Sequence, residues 1–204
     1  MIAFLLATVI FKISDARRPT QEIGRTLARP VDPDRDHFFG PADAPLTIVE
    51  YGDFQCEFCL KASNSIDQVH RELGDRLRYV WRHAPLTAYH PNALAGSEAA
   101  EAAGLQGKFF EMGMSLFADQ ENQLPSDITR RAEELGLDVE RFEADLTSAK
   151  VTNRVRDDML DAEAMGITVV PTLFINGRRH TGPYDARSLI RALKDTAGPA
   201  NVVQ

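Results

Sequence analysis

The sequence contains two cysteines, and they lie three positions apart as Cys56-Glu57-Phe58-Cys59. This spacing is typical of a redox dithiol or of one half of a metal site. A structural zinc site usually needs four nitrogen or sulfur ligands, and no two of the five histidines form an H-x3-5-H pair. The spacing therefore favours reversible thiol chemistry. A zinc half-site completed by dimerisation and an inert pair of buried cysteines are the alternatives.

Length and charge narrow the possible functions. A chain of 204 residues can bury a substantial core without a disulfide, so the cysteines are free for chemistry. The formal net charge of −7 argues against nucleic acid as a partner, because phosphate binding needs a basic face. We find no internal repeat, so a solenoid is not expected.

The elements around the cysteines predict a βαβ unit followed by helices and a ββα unit. Strand-like runs at 46–51 and 77–81 enclose a helix from about 56 to 73, which places the cysteines on the first strand-to-helix turn. The middle of the chain, about 85–166, is predicted to be helical. The last quarter returns to β structure with a strand at 172–175, an Asn176-Gly177 turn and a return strand, before a helix that starts near Asp185.

The chain begins with an apolar run, residues 1–13, interrupted only by Thr8 and Lys12. As a helix it would reach about 20 Å, which is short of the hydrocarbon core of about 30 Å. The basic residues follow the run instead of preceding it, which favours retention of the downstream side in the cytoplasm. We interpret residues 1–13 as a transmembrane-helix remnant. An export signal or anchor and an amphipathic or disordered tail are the alternatives.

Proline and aspartate punctuate residues 14–45, a composition typical of a surface linker that leads into a domain. The folded domain is predicted to span 46–197, with a helical insert at about 85–166 and a tail at 198–204.

The predicted layout, with CxxC on the first helix and Pro171 before the third strand, resembles the DsbA-like thiol-disulfide oxidoreductases. These proteins have an α/β thioredoxin fold interrupted by an all-helical domain. The resemblance covers roughly residues 37–197, and its motifs are Glu50-Tyr-Gly-Asp-Phe-Gln-Cys-Glu-Phe-Cys59 and Gly166-Ile-Thr-Val-Val-Pro-Thr-Leu-Phe-Ile-Asn-Gly177. More narrowly, three segments resemble the version of this domain fused behind NhaA-type sodium/proton antiporters: Pro30-Val-Asp-Pro-Asp-Arg-Asp-His37, Gly40-Pro-Ala-Asp-Ala-Pro45 and Trp81-Arg-His-Ala-Pro-Leu86.

Cys56 is the candidate nucleophile, because a cysteine at a helix N-terminus gains thiolate character from unpaired N–H groups and the helix dipole. Cys59, one turn inward, would attack the mixed disulfide and release the substrate. The resemblance implies that Pro171 is cis and faces the cysteines, and that Val170 offers backbone hydrogen bonds to a substrate peptide. A trans proline that only starts a strand is the alternative.

Glu50 matches the buried acid of the resembled family, which assists proton transfer to and from Cys59. An exposed position at the edge of the sheet is the alternative interpretation. Phe54 and Phe58 bracket the motif and could form an apolar rim for substrate, or belong to the core. His83 and His90 flank the helical insert and could line the groove near the cysteines or cap helices.

The most oxidising family members have proline and histidine between the cysteines, whereas this chain has Glu57 and Phe58. A carboxylate beside Cys56 should disfavour its thiolate, which predicts a less oxidising couple.

The sequence therefore predicts a protein thiol-disulfide oxidoreductase that uses Cys56 and Cys59 without a metal or organic cofactor. Its partners would be protein thiols or disulfides and an unidentified redox partner, with a membrane tether through residues 1–13 and the domain on the cytoplasmic side. An exported or periplasm-facing anchored domain is the alternative location. The alternative function is a redox-sensing or accessory domain of an antiporter, with no turnover of its own.

Overall fold

The computed structural model describes residues 24–196. The apolar run at 1–13 and the predicted tail at 198–204 lie outside the described residues. Among residues 24–196, none of the helices combines the length and the apolar composition needed to cross a bilayer.

A five-stranded mixed sheet forms the centre of the molecule. Its spatial order is β1-β3-β2-β4-β5, with β2 and β3 parallel and the other neighbouring pairs antiparallel. The strands are β1 (His37–Phe39), β2 (Leu46–Gly52), β3 (Leu77–His83), β4 (Thr172–Ile175) and β5 (Arg178–Arg179).

Helix α1 (Glu57–Leu73) connects the parallel strands β2 and β3, and α7 (Ala186–Thr196) packs against it. Five further helices separate β3 from β4, namely α2 (Ala93–Gly104), α3 (Phe109–Ala118), α4 (Pro125–Glu134), α5 (Val139–Leu146) and α6 (Ala149–Ala164). Residues 84–92 precede this insert without regular helix, so the predicted helical stretch begins later than residue 85. The predicted thioredoxin fold with an inserted helical domain is confirmed.

The two faces of the sheet carry different cores, because side chains alternate along a strand. Ile48, Tyr79 and Trp81 belong to the core beneath α1, which continues into the helical insert. Tyr51 and Val80 belong to a smaller core on the opposite face. All residues of β2 except Thr47 are buried, as predicted for a strand covered on both sides.

Part of the predicted linker is folded against the sheet. Thr26 pairs with Arg178 of β5, β1 pairs with β3, and the side chain of Asp36 is buried in an ion pair with Arg82. The interpretation of residues 14–45 as a surface linker therefore does not hold for residues 24–45. The proline- and aspartate-rich composition concealed the fact that one aspartate is the counterion of a buried arginine.

Candidate active site

Cys56 is the N-cap of α1, with extended backbone angles of φ −85° and ψ 121°. Its carbonyl oxygen accepts hydrogen bonds from the N–H groups of Cys59 and Leu60 at 3.1 and 3.2 Å. The two cysteines are unbonded to each other, and both are buried: Cys56 is 4% exposed and Cys59 is 0% exposed. Cys56 therefore occupies the amide-rich end of a 17-residue helix, as predicted for the nucleophile.

The surroundings of Cys56 favour its thiolate. A hydrogen bond from the Cys59 thiol contributes most to lowering the pKa of Cys56, from 9.0 to about 6. The backbone N–H groups of Phe58 and Cys59 and the charge of His90 act in the same direction, while burial opposes them. Near neutral pH, Cys56 is therefore mainly in the form that attacks a disulfide.

The pKa of Cys59 is shifted in the opposite direction to that of Cys56. Burial, the hydrogen bond to Cys56 and the nearby Glu50 carboxylate raise the pKa of the Cys59 thiol well above its ordinary value. The N–H group of Asp53 donates to the Cys59 sulfur at 3.4 Å and partly offsets this effect. The site thus holds one thiolate and one thiol that needs a base before it can react.

Glu50 lies at the centre of β2, opposite Trp81 of β3 and Leu173 of β4, and is 0% exposed. The Tyr79 hydroxyl donates to its Oε2 at 2.9 Å, whereas Oε1 has no hydrogen-bond partner. Burial raises the pKa of Glu50 to about 8, against the opposing effect of the Tyr79 hydrogen bond. The burial is as expected from the family resemblance, and the exposed sheet-edge alternative is excluded.

Gly52 allows this acid and Trp81 to pack closely. A Cβ atom at Gly52 would lie 2.4 Å from Cη2 of Trp81 and 3.1 Å from Oε1 of Glu50. The unpartnered oxygen of Glu50 therefore lies in a closely packed site that has no space for a larger residue at position 52.

The loop before β4 reaches the start of α1. The Val170–Pro171 peptide bond is cis, as the family resemblance implied. The Val170 carbonyl oxygen lies 3.9 Å from the sulfur of Cys56, and the preceding side chain, Val169, is 60% exposed. The structure thus brings the pair Cys56 and Cys59 next to the pair Val170 and Pro171, although more than 100 positions separate the two pairs in the sequence.

The two phenylalanines that bracket the motif have different environments. Phe58 is 48% exposed and lies beside the cysteines. Phe54 is 3% exposed and stacks on Trp81 with ring centroids 4.3 Å apart. The prediction that Phe54 forms part of an exposed rim is therefore wrong: its ring fills the core between the sheet and the helical insert.

Glu57 is directed to solvent. Its side chain is 65% exposed and pairs with Lys61 one turn further along α1 at 3.4 Å. An exposed and paired carboxylate is well screened, so its expected effect on the Cys56 thiolate is weak. The less oxidising couple that the sequence suggests stays a prediction.

Asp53 is a site residue that the sequence interpretation did not single out, although it lies within the quoted motif. Its buried carboxylate accepts hydrogen bonds from the N–H groups of Gln55 (2.8 Å) and Leu86 (2.9 Å) and contacts Nδ1 of His90 at 2.7 Å. These contacts fasten the loop at residues 84–92 onto the turn that leads into Cys56. The loop brings His90 close enough to influence the Cys56 sulfur.

His83 has a structural position instead. It is 0% exposed, its Nε2 lies 2.9 Å from Glu101, and the Trp81 indole N–H donates to its Nδ1 at 3.3 Å. In the part of the chain that the structure describes, no group of three or more histidine, cysteine or acidic residues is arranged to hold a metal ion.

The comparisons agree with this fold. A thioredoxin family profile matches residues 33–195, and the chain belongs to this family. The solved structure of BdbD from Bacillus subtilis has a TM-score of 0.72 at 18% identity and covers 83% of this chain and 97% of its own. That of alpha-DsbA1 from Wolbachia pipientis has a TM-score of 0.71 at 20% identity, covering 86% and 96%. At these identities the likeness concerns the fold alone.

A curated relative in sequence is the Na(+)/H(+) antiporter NhaA 1 of Mycobacterium sp. (strain KMS). It is 51% identical over 196 residues, which are 95% of this chain and 32% of the antiporter. The chain therefore spans about a third of the length of the curated relatives it matches. These findings confirm the resemblance to a DsbA-like domain of NhaA-type proteins.

Proposed function

We propose that this domain is a protein thiol-disulfide oxidoreductase with Cys56 as nucleophile and Cys59 as resolving thiol. The observation that carries the proposal is that the pKa values of two neighbouring thiols are shifted in opposite directions. The pKa of Cys56 is lowered to about 6, while that of Cys59 is raised. Buried cysteines that only pack in a core do not require different pKa values. Stepwise disulfide exchange requires one thiolate that attacks first and one thiol that reacts later.

In the reducing direction, the Cys56 thiolate attacks one sulfur of a substrate disulfide. The other substrate sulfur leaves with the electron pair of the broken bond and takes up a proton from solvent. Cys59 then gives its proton to a base and attacks the Cys56 sulfur of the mixed disulfide. The second substrate sulfur leaves as a thiolate, so the substrate disulfide is reduced and Cys56 and Cys59 are oxidised. The reverse sequence oxidises two substrate thiols.

The remaining predicted residues have roles in this scheme. Glu50 is the base that receives the Cys59 proton, since its raised pKa of about 8 suits exchange near neutral pH. Val170 and Pro171 orient an extended substrate segment at Cys56, and exposed Phe58 contributes apolar contact. The redox-active disulfide is sufficient for the chemistry without a metal or organic cofactor.

The test is turnover with a protein substrate. The domain is expected to accelerate reduction of insulin by dithiothreitol and refolding of scrambled ribonuclease, and Cys56→Ser should abolish both activities. A second measurement follows alkylation by iodoacetamide, which should reach half its maximal rate near pH 6 at Cys56. If position 56 reacts no faster near neutral pH than an ordinary thiol, the catalytic proposal fails.

A second candidate function is a redox-sensing or accessory domain of a sodium/proton antiporter. It is favoured by the curated relatives, which carry the antiporter name and extend well beyond this chain. A sensor would form the Cys56–Cys59 disulfide in response to oxidant but give no insulin or ribonuclease turnover above background.

We further propose that the domain is associated with a membrane through the apolar segment 1–13 and lies on the cytoplasmic side. The antiporter name of the relatives supports the membrane association, and the basic residues that follow the apolar segment are the reason for proposing the cytoplasmic side. A membrane-impermeant maleimide should then label Cys56 after cell lysis but not in intact cells. Labelling of intact cells would favour the exported alternative.

A further inference from the structure

We propose that Tyr79 is a positioning residue that orients the Glu50 carboxylate and determines the pH at which it accepts the Cys59 proton. This inference rests on the proposed thiol-disulfide exchange and assigns a role to a residue outside the CxxC turn and the cis-proline loop.

Tyr79 lies on β3, two positions before Trp81, with its side chain beneath α1 and 8% exposed. Its hydroxyl donates to Oε2 of Glu50 at 2.9 Å. The other oxygen, Oε1, is buried without a hydrogen-bond partner, and the Cys59 thiol also lowers the pKa of this carboxylate, by less than Tyr79 does. The hydroxyl therefore fixes one oxygen and leaves the other available for a proton.

Among the described residues, three titratable side chains influence the pKa of Glu50. Tyr79 faces it from β3, and Cys56 and Cys59 face it from the start of α1. Its neighbour on β4, Leu173, is apolar. A donor hydrogen bond stabilises a carboxylate more than a carboxylic acid, so Tyr79 opposes the effect of burial on Glu50. Without this hydroxyl, Glu50 would become a competent base only at higher pH.

The affected step is resolution of the mixed disulfide. The Cys59 S–H proton moves to the Glu50 carboxylate, and the resulting thiolate attacks the Cys56 sulfur. The bond between Cys56 and the substrate sulfur breaks, and the substrate leaves as a thiolate with the bonding electron pair. Because Cys56 attacks in the preceding step without Glu50 as its base, a change at Tyr79 should alter the second step and spare the first.

Rapid mixing of the reduced domain with Ellman's reagent separates the two steps. The first release of thionitrobenzoate reports attack by Cys56 and depends on reagent concentration. The second reports attack by Cys59 and is independent of it. In Tyr79→Phe, the second phase should be about tenfold slower at pH 7, with its pH inflection moved upward, while the first phase is unchanged.

Tyr51→Phe is the matched control. Tyr51 is a buried tyrosine on β2 whose hydroxyl accepts a hydrogen bond from Arg82 on the opposite face of the sheet. Its removal should leave the inflection in place. An unchanged profile in Tyr79→Phe, or an equal shift in Tyr51→Phe, would overturn the proposal.

The double variant Glu50→Gln/Tyr79→Phe asks whether Tyr79 acts through Glu50. It should match Glu50→Gln alone. If Tyr79→Phe slows the second phase by the same factor in both backgrounds, Tyr79 acts by another route and the assignment fails.

Incorporation of 3-fluorotyrosine into the Tyr51→Phe chain provides a test that keeps the Tyr79 side chain and does not depend on the folding of Tyr79→Phe. The more acidic hydroxyl is a better donor, so the inflection should move downward, and an unchanged inflection would contradict the proposal. Failure of the proposed function is distinguishable, because it appears as absent insulin turnover in the wild-type domain whatever the two phases show.

Discussion

The two faces of β2 and β3 bury ionisable groups in opposite ways. On one face, Arg82 is fully buried and every nitrogen of its guanidinium has a partner. It donates to Asp36, to the Tyr51 hydroxyl and to the carbonyl oxygens of Arg29 and Pro30, at 2.8 to 3.1 Å. The charge of Arg82 is thus balanced and its hydrogen bonds are complete.

On the other face, Glu50 is equally buried, but one of its two carboxylate oxygens has no hydrogen-bond partner, and among the residues described Glu50 has no cationic partner. Its pKa is raised, whereas the pKa of Asp36, bonded to Arg82, is lowered despite burial. The chain can therefore satisfy a buried charge completely where the site is structural. An incompletely satisfied acid beside two cysteines is consistent with proton transfer, which needs a group that can change its charge.

The largest expected effect on stability comes from removing the partner of Arg82. Asp36→Ala leaves Arg82 buried without its counterion and should lower the free energy of unfolding by about 3–5 kcal/mol. Urea denaturation of the reduced domain at pH 7 measures this loss. The control is Asp34→Ala at an exposed aspartate two positions away, with an expected change below about 0.5 kcal/mol. Similar losses in the two variants would contradict the structural role of the pair.

Glu50→Gln should instead raise the free energy of unfolding relative to the wild type at neutral pH. Because the pKa of Glu50 is raised from 4.5 to about 8, the folded state retains a proton that the unfolded chain releases within this interval. Stability is therefore lost as pH rises from about 4.5 to 8, by up to about 1.4 kcal/mol per pH unit. The variant removes this loss, so its advantage over the wild type should grow from pH 5.5 to 7.5.

Urea denaturation of the reduced proteins at both pH values provides the measurement, with Glu72→Gln, an exposed acid on α1, as control. A constant difference in stability between Glu50→Gln and the wild type would show that the pKa of Glu50 is not raised in the folded state.

Cys59→Ala should raise the pKa of Cys56 from about 6 towards 9.0, because the Cys59 thiol makes the largest favourable contribution to the Cys56 thiolate. We expect a shift of about one unit or more, followed by thiolate absorbance at 240 nm. Cys59→Ser is the matched variant, since its hydroxyl can still donate and should retain part of the effect. If the wild type, Cys59→Ala and Cys59→Ser give the same pKa for Cys56, the helix N-terminus alone lowers it and the contribution of the Cys59 thiol is refuted.

The smallest effect is expected for His90→Gln. His90 contributes less to the lowered pKa of Cys56 than the Cys59 thiol and the helix amides do, so the titration of Cys56 should move upward by less than about one unit. His70→Gln, near the C-terminal end of the same helix α1, is the control and should leave the titration unchanged. If His90→Gln raises the pKa of Cys56 as much as Cys59→Ala does, His90 contributes as much as the Cys59 thiol to stabilising the Cys56 thiolate, which would contradict this prediction.

The predictable parts of the site are those with local causes. The position of Cys56 follows from a strand, a turn and a helix adjacent in sequence, and the N–H groups at the helix N-terminus account for part of its lowered pKa. The burial and possible partners of Glu50 required knowledge of both neighbouring strands, so the exposed alternative was open until the sheet order was known. Phe54 was ambiguous for the same reason, because its core contacts come from the helical insert.

The sequence by itself determined the βαβ unit, the helical insert and the ββα unit, the cysteine pair at the first strand-to-helix turn and the candidate nucleophile, because periodicity and helix termini act over a few residues. It did not reveal β1, which lies in the segment interpreted as a linker. Only the tertiary structure decided that Asp36 neutralises Arg82, that Tyr79 holds Glu50, and that the loop carrying His90 is fastened to Asp53. These partners lie between 29 and 46 positions apart. Burial and hydrogen bonding at such separations depend on how the whole chain packs, which no local pattern encodes.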